Sequence, residues 1–421
     1  MSAQNLTLLT DLYELTMMQG YFESQANETV IFDVFFRENP NKGGYSVMAG
    51  LEQVIEYIKN LNFSYEDVDY LRGLGLFSED FLHYLSGFHF SGDIYAIPEG
   101  SVIFPREPLV KVIAPIMEAQ LVETAILNII NHQSLIATKA SRVVHAAQGN
   151  GVMEFGLRRA QGPDAGLYGA RAAMIGGCVG TSNVLAGKMF DVPVLGTHAH
   201  SWIMSFPDEY TAFKEYARLY PDACTLLVDT YDTLKSGVPN AIRVFQEMKD
   251  AGIHPKSYGI RLDSGDLAYL SKKARKMLDE AGFPDAVIAA SNDLDEFLIN
   301  DLKIQGAAIT SWGVGTNLIT SKDCPSFGGV YKLAAIQNKD GEFVPKIKIS
   351  ENIEKITNPG NKTIYRIYDK DTGKIRADLI CFADETYDTS EDLLLFDPNS
   401  TWKKTRLEGG TYTMKEILKP I

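Results

Sequence analysis

Between Gly151 and Asn317 the chain repeats one pattern: a short apolar run, a loop of Gly, Ser, Thr, Asp, Arg or His, then an amphipathic segment. The runs are GVMEFG, GGCVGTSN, VPVLGTHAH, TLLVDTYD, SYGIRLDSGD, AVIAASND and AAITSWGVGTN. Continuous apolar runs bounded by glycine and polar residues suit strands buried on both faces. Several intervening segments, Asn240–Ala251 and Leu267–Ala281 among them, read as helices. The alternation predicts the βα units of a parallel sheet. About seven units over this length predict an α/β barrel, complete or partial, rather than an open sheet. Barrel strands end at one rim, where chemistry collects, and each run here ends in residues able to do chemistry.

The flanks read differently. Residues 5–22 predict a helix, capped by Asn5 or Thr7, with Leu8, Leu12, Leu15 and Met18 at helical spacing and Tyr13 one position off that stripe. By pattern alone Tyr13 is a half-buried helix aromatic. Thr29–Arg37 predicts a strand, Asn39–Gly44 its turn, and Ser46–Leu61 a helix after a Gly-Gly break. Residues 62–90 look helical and irregular, and Gly92–Val112 alternates short β runs with the turns PEG and PREP. A long helix, Ile116–Thr138, links this region to the barrel. After Asn317, GGVYKLAAIQ with FVPKIKIS, and TIYRIYD with KIRADLICFAD, predict two hairpins. Antiparallel strands cannot continue a βα barrel. The expectation is therefore an α+β domain over 1–125, completed by 325–421, and a separate barrel over 140–324. From Glu385 onward the pattern is weak.

Composition narrows the function. The chain has 421 residues, too long for one ordinary domain, and a hydrophobic content of 45% supplies a sizeable core. A net charge of −14 argues against a general nucleic-acid or anionic-membrane partner, because the long-range field repels polyanions. A small anionic ligand needs only local arginines, lysines or backbone N–H groups. The four cysteines, Cys178, Cys224, Cys324 and Cys381, lack paired metal-type spacing and fit a reducing, cytoplasmic setting. The N-terminal stretch carries Asp11 and Glu14 without a basic region, so it does not read as a signal peptide, and no apolar run has the length of a membrane span.

The loops carry the chemistry. EFGLRRAQGPDAG places Phe155, Arg158 and Arg159 just past a predicted strand. Arginine's planar fork matches carboxylate or phosphate, and its alternative here is a surface salt-bridging pair. GGCVGTSN, with Ser182, precedes a helix starting near Val184, so backbone N–H groups there can hold an anion. GTHAHSW holds His198 and His200 two residues apart, with Thr197 and Ser201 beside them. His-x-His can bind a metal, but no further ligand cluster is evident, and a histidine at a strand end beside Thr197 and Ser201 suits acid–base or nucleophilic work better. His198 reads as a histidine of the core or one supporting the site residues from behind. GIRLDSGDL sets Arg261 and Asp263 on one face of a strand end, with Asp266 as a helix cap. Ser291–Asp293 and the loop with Gly313, Gly315 and Thr316 close the series. Phosphate sites built from the last βα loops are frequent in such barrels. Together the rim suits a substrate with two or more anionic groups and a sugar.

These motifs, LLTDLYELTMMQGYF, EFGLRRAQGPDAG, GTSN, GTHAHSW, RLDSGDL and VGTN in that order, with GGVYKL and KISENIEKITNPGNK after them, resemble the nicotinate phosphoribosyltransferase family. The resemblance spans about Leu8 to Asn361. It implies an irregular (β/α) barrel of the type II phosphoribosyltransferase kind plus a sandwich domain built from both chain ends. It implies formation of nicotinate mononucleotide and pyrophosphate from nicotinate and phosphoribosyl pyrophosphate, coupled to ATP, in NAD salvage. Carried over by position, Tyr13 would stack on the pyridine ring, reaching a neighbour's barrel in a homodimer. Arg158, Thr197 and Arg261 would hold nicotinate and adjacent phosphates, with Phe155 and Gly313 beside them. Gly315 and Thr316 would bind the ribose 5-phosphate, Asp263 would face the ribose, and His200 would be phosphorylated by ATP. Mg²⁺ would travel with the substrate rather than sit on side chains alone. Related nicotinamide-specific enzymes carry Asp at the position of Ser182, where an anion would repel a carboxylate; serine fits the acid as substrate. Quinolinate phosphoribosyltransferase is the nearest enzyme rival, with a similar barrel and no ATP, but the Tyr13 segment and the GTHAHSW histidine argue against it. A non-catalytic sensor on the same fold would lack His200, Arg261 or Asp263, and all three are present. The sequence stops at KEILKPI, short of where many members of the group end; a natural short form and a truncated chain both fit.

Overall fold

The computed structural model describes residues 5–349, 357–398 and 400–421. The chain divides into two compact units, one of residues 1–134 and 326–421, the other of residues 135–325.

The first unit opens with α1, Leu12–Glu23. The predicted start at residue 5 is wrong because Asn5 turns its side chain onto Thr7, accepting both the backbone N–H (2.9 Å) and the hydroxyl (2.6 Å). That Asx turn competes with the helix, and α1 begins only after Asp11. β1 (Thr29–Phe36) follows as predicted. The helix predicted from Ser46 also starts late. Ser46–Val47 forms β2, and α2 runs over Leu51–Lys59. Gly50 separates them at φ 102°, where a Cβ would come 3.0 Å from the Ile129 carbonyl oxygen. Only glycine takes that turn cheaply. α3 (Tyr65–Gly73) carries a capping box of Ser64 and Asp67, and Ser78 caps α4 (Glu79–Ser86). β3 (Asp93–Ala96), β4 (Val102–Ile103) and β5 (Val110–Pro115) come next. The predicted linking helix is two helices, α5 (Ile116–Leu121) and α6 (Glu123–Ala146), which meet at Val122.

The second unit carries the βα pattern. Its elements are β6 (Gly151–Glu154), α7 (Pro163–Ile175), β7 (Gly180–Thr181), α8 (Val184–Phe190), α9 (His200–Met204) and α10 (Glu209–Leu219). They continue with β8 (Ala223–Leu227), α11 (Val238–Asp250), β9 (Ser257–Leu262) and α12 (Leu267–Glu280). β10 (Val287–Ala290), α13 (Glu296–Ile304), β11 (Ser311–Val314) and the short α14 (Thr316–Ile319) complete it. The strands pair in the order β7-β6-β11-β10-β9-β8, all parallel. The sheet is a curled half-barrel. VPVLGTHAH was expected as a further strand but makes only a bridge from Val194 to Thr181. Val194 and Leu195 are exposed there, so the burial that a full strand needs is missing.

After residue 325 the chain returns to the first unit. β12 (Gly329–Gln337) pairs antiparallel with β1 over most of its length and forms a hairpin with β13 (Phe343–Pro345). The predicted strand runs on to Ser350, which lies outside the described residues, as does part of KISENIEKITNPGNK. β14 (Lys362–Asp369) and β15 (Ile375–Phe382) form the second expected hairpin. β16 (Leu393–Asp397), β17 (Ser400–Leu407), β18 (Tyr412–Glu416) and β19 (Lys419–Pro420) give the stretch past Glu385 more strand than its pattern showed. The main sheet has the order β13-β12-β1-β5-β3-β19. A buried ion pair, Lys362 Nζ to Asp33 Oδ2 at 2.7 Å, joins β14 to β1.

Candidate active site

The C-terminal ends of the parallel strands surround one cleft of about 550 Å³. Most of its walls come from strand ends, where the backbone leaves the sheet and frees its side chains from the core; Gly196, Thr197, His198 and Ala199 line it from the loop before α9. Past β6, Phe155 donates its N–H to the Val314 carbonyl (2.8 Å), which holds its ring over the β11 strand. Gly313 makes room for that ring: a Cβ there would stand 2.6 Å from Phe155 Cδ2. Arg158 and Arg159 follow in a single exposed turn, Leu157–Arg159. Ser182 lines the cleft after β7, its N–H donated to the Glu154 carbonyl (3.0 Å). Gly315 and Thr316 line it at the start of α14.

Arg261, near the end of β9, reaches Thr197 Oγ1 through Nη1, while its Nε is buried with no hydrogen-bond partner. Burial lowers the guanidinium pKa, opposed by the Asp263 and Asp229 carboxylates. Asp263 accepts from the Ser291 hydroxyl, and its backbone N–H donates to Asp229 Oδ2 (2.8 Å). Ser264 Oγ donates to the same oxygen (2.7 Å), and Asp229 Oδ1 is buried without a partner. Arg261 and Asp263 thus line one cleft, as their spacing predicted. Asn292, also at the rim, holds φ 102°. A non-glycine residue in that region stores strain, which concentrates at functional sites.

The two histidines separate in role. His200 directs Nδ1 at the Thr230 hydroxyl (3.1 Å) and Nε2 toward Asp263 Oδ2 (3.7 Å), and about two-fifths of its side chain is exposed. His198 is buried, accepts the Leu227 N–H at Nε2 (3.3 Å) and packs edge-on against Tyr216 at 4.6 Å. Burial lowers its pKa to about 4. A neutral imidazole held this way is structural, in line with its sequence reading.

Of the predicted residues, Phe155, Arg158, Ser182, Thr197, Arg261, Asp263, Gly313, Gly315 and Thr316 all line the cleft. His200 stands beside it through Asp263. Tyr13 does not line it. It lies on α1 in the other unit, 46% exposed, with burial and then the Glu123 carboxylate pushing its phenol up to about 12. Sequence reasoning gave no role to Asp229, Thr230 or Glu154. Each sits in a singled-out apolar run, but the partners that give it meaning come from other strands.

Models of the nicotinate phosphoribosyltransferase (NAPRTase) family match residues 151–371, its N-terminal domain residues 8–131 and its C-terminal domain residues 361–421. The chain is 52% identical over 399 residues to the nicotinate phosphoribosyltransferase of Bacillus subtilis, covering 94% of this chain and 80% of that protein. It is 33% identical over 436 residues to that of Homo sapiens, covering 90% and 80%. The crystal structure of human nicotinic acid phosphoribosyltransferase superposes with a TM-score of 0.83 at 29% identity, over 98% of this chain and 88% of that one. Nicotinate-nucleotide pyrophosphorylase from Pyrococcus furiosus shares the fold, with a TM-score of 0.74 at 22% identity over 100% and 90%. The chain therefore belongs to the nicotinate phosphoribosyltransferase family.

Proposed function

We propose that this chain carries out the reaction for which its relatives are named, joining nicotinate to the phosphoribosyl group of phosphoribosyl pyrophosphate to give nicotinate mononucleotide and pyrophosphate on the way to NAD. The observation that carries it is Arg261: a cleft-lining guanidinium with a buried Nε that no group among the described residues satisfies. Leaving such a donor unmade is costly, and an anionic substrate would satisfy it. Arg158 and Thr197 would share the carboxylate and phosphates. Gly315 and Thr316 would meet the 5-phosphate with backbone N–H groups.

In the chemical step the pyridine nitrogen takes C1 of the ribose as the bond to pyrophosphate breaks, and positive charge builds on the ribose. Asp263 stands where it can face that charge. Ser291 and the Asp229-bound backbone hold it there, so it need not reorganise during the reaction. Oxygen-rich groups suit magnesium, and the Asp263 carboxylate lining the cleft fits Mg²⁺ arriving on the substrate. Bound there, Mg²⁺ would offset the charge of the leaving pyrophosphate.

The same reading couples ATP to the step through His200. Thr230 engages Nδ1, which leaves Nε2 to face Asp263 and accept a phosphoryl group. A phosphate on that nitrogen adds charge next to Asp263 and can shift the rim loops. Tyr13 would complete the pyridine site from a second copy in a homodimer, opposite Phe155. Residues 1–125 and 325–421 would act as one sandwich domain, and residues 140–324 as a barrel. A cytoplasmic setting suits the four cysteines, which form no disulfide, and no described helix is long and apolar enough to cross a membrane. Turnover of labelled nicotinate with phosphoribosyl pyrophosphate, with and without ATP, tests the whole reading.

A further inference from the structure

We propose that Glu154 is the positioning residue of the pyridine end of the cleft, clamping the Phe155–Arg158 loop and the Ser182 loop to each other from behind. The proposal deepens the functional reading above and rests on it.

Glu154 ends β6 and is fully buried; it does not line the cleft. One carboxylate oxygen accepts the Gly156 backbone N–H, and the other accepts the Thr181 hydroxyl at 2.6 Å. Its own carbonyl accepts the Ser182 N–H at 3.0 Å. Thr181 Oγ1 passes the connection on by accepting the Asn183 N–H (3.0 Å), and Asn183 caps α8. Gly156 is pressed into this arrangement: a Cβ there would lie 2.5 Å from the Ile319 side chain and 2.9 Å from the Glu154 carboxylate.

Glu154 makes no ion pair with a described residue, and burial raises its pKa against the two hydrogen bonds that lower it. Burying a carboxylate without a cation is unfavourable, and an apolar side chain would fill the volume at less cost. What only a carboxylate supplies is two acceptors in one rigid plane, set for donors from two loops. Glutamine offers one acceptor and turns a donor on the other partner. The two loops so joined present Phe155 and Ser182, the ring and the hydroxyl proposed to meet nicotinate. Asp263 and Thr316, at the phosphoribosyl end, make no hydrogen bond with Glu154.

The test uses the full chain with Glu154→Gln, Thr181→Val and Thr181→Ser. KM and kcat are measured separately for nicotinate and phosphoribosyl pyrophosphate, with nicotinamide as competitor substrate and a melting curve for each variant. Glu154→Gln and Thr181→Val are expected to raise the nicotinate KM roughly tenfold and to lower the preference for nicotinate over nicotinamide. The KM for phosphoribosyl pyrophosphate should stay put, and Thr181→Ser, which keeps the hydroxyl, should behave as wild type. If Glu154→Gln fails to fold, the Thr181 pair reads the same clamp. An unchanged nicotinate KM, or equal changes for both substrates, overturns the positioning role while the functional reading stands. A wild-type chain that turns over no nicotinate overturns both.

Discussion

The Nε2 atom of His200 stands 3.7 Å from Asp263 Oδ2, so the proposed phosphorylation site at the start of α9 and the proposed ribose-facing carboxylate at the end of β9 are neighbours. Any charge placed on His200 is felt at Asp263. That gives ATP a physical route to the transfer step without its touching the pyridine. His200→Ala should abolish stimulation by ATP and leave a slow, ATP-independent transfer. Steady-state rates with and without ATP check this, and equal loss of both activities would contradict it.

Ser182 offers a neutral hydroxyl where a carboxylate substrate is proposed to sit. An aspartate there would set two anions within a few ångströms, worth about 2–3 kcal/mol at an effective dielectric near 20. Ser182→Asp should therefore lower kcat/KM for nicotinate by roughly 30- to 150-fold and leave nicotinamide less affected. Parallel kinetics on the two pyridines decide it; unchanged nicotinate kinetics would remove Ser182 from the specificity argument.

Gly313 has no side chain because the Phe155 ring occupies that space. Gly313→Ala must push the ring or the strand aside, an overpacking cost of about 1–3 kcal/mol. The expected outcome is a lower melting temperature together with a raised nicotinate KM. A variant with wild-type melting and kinetics would show that the ring moves freely.

His198 predicts a pH effect on stability. Its pKa falls from 6.5 to about 4 in the folded chain, so between those values the unfolded chain binds more protons. Its contribution is fully present above pH 6.5 and is lost as pH falls through 4, amounting to roughly 3 kcal/mol at most. Glu14 acts in the opposite sense in the other unit. Burial raises its pKa from 4.5 to about 7, so its contribution is fully present below 4.5 and is lost as pH rises through 7. Urea midpoints from pH 7.5 to 4 should thus decline less steeply for His198→Gln than for wild type. Parallel declines would contradict the buried, neutral histidine.

The barrel rim was legible in the sequence because each strand end combines two signals on neighbouring residues, a buried apolar run and a polar loop. Nine cleft-lining residues follow from that coincidence and from the family motifs. Local competition was not legible. Asn5 bonding Thr7 delays α1, and Gly50 at positive φ delays α2. VPVLGTHAH has a strand's composition but lies exposed at the sheet edge, and composition does not report exposure. Asp229 and Glu154 went unassigned because their partners, Ser264 and Thr181, come from different strands and meet them only in the fold. Tyr13 drew its meaning from the family motif alone, and it sits outside the cleft-bearing unit.

The most direct test is product formation from radiolabelled nicotinate with phosphoribosyl pyrophosphate and Mg²⁺, with and without ATP, run beside nicotinamide and quinolinate. The account predicts nicotinate mononucleotide as the product, a rate raised by ATP, and little turnover of the other two pyridines. Preferential turnover of quinolinate or nicotinamide, or no turnover of nicotinate, would contradict it.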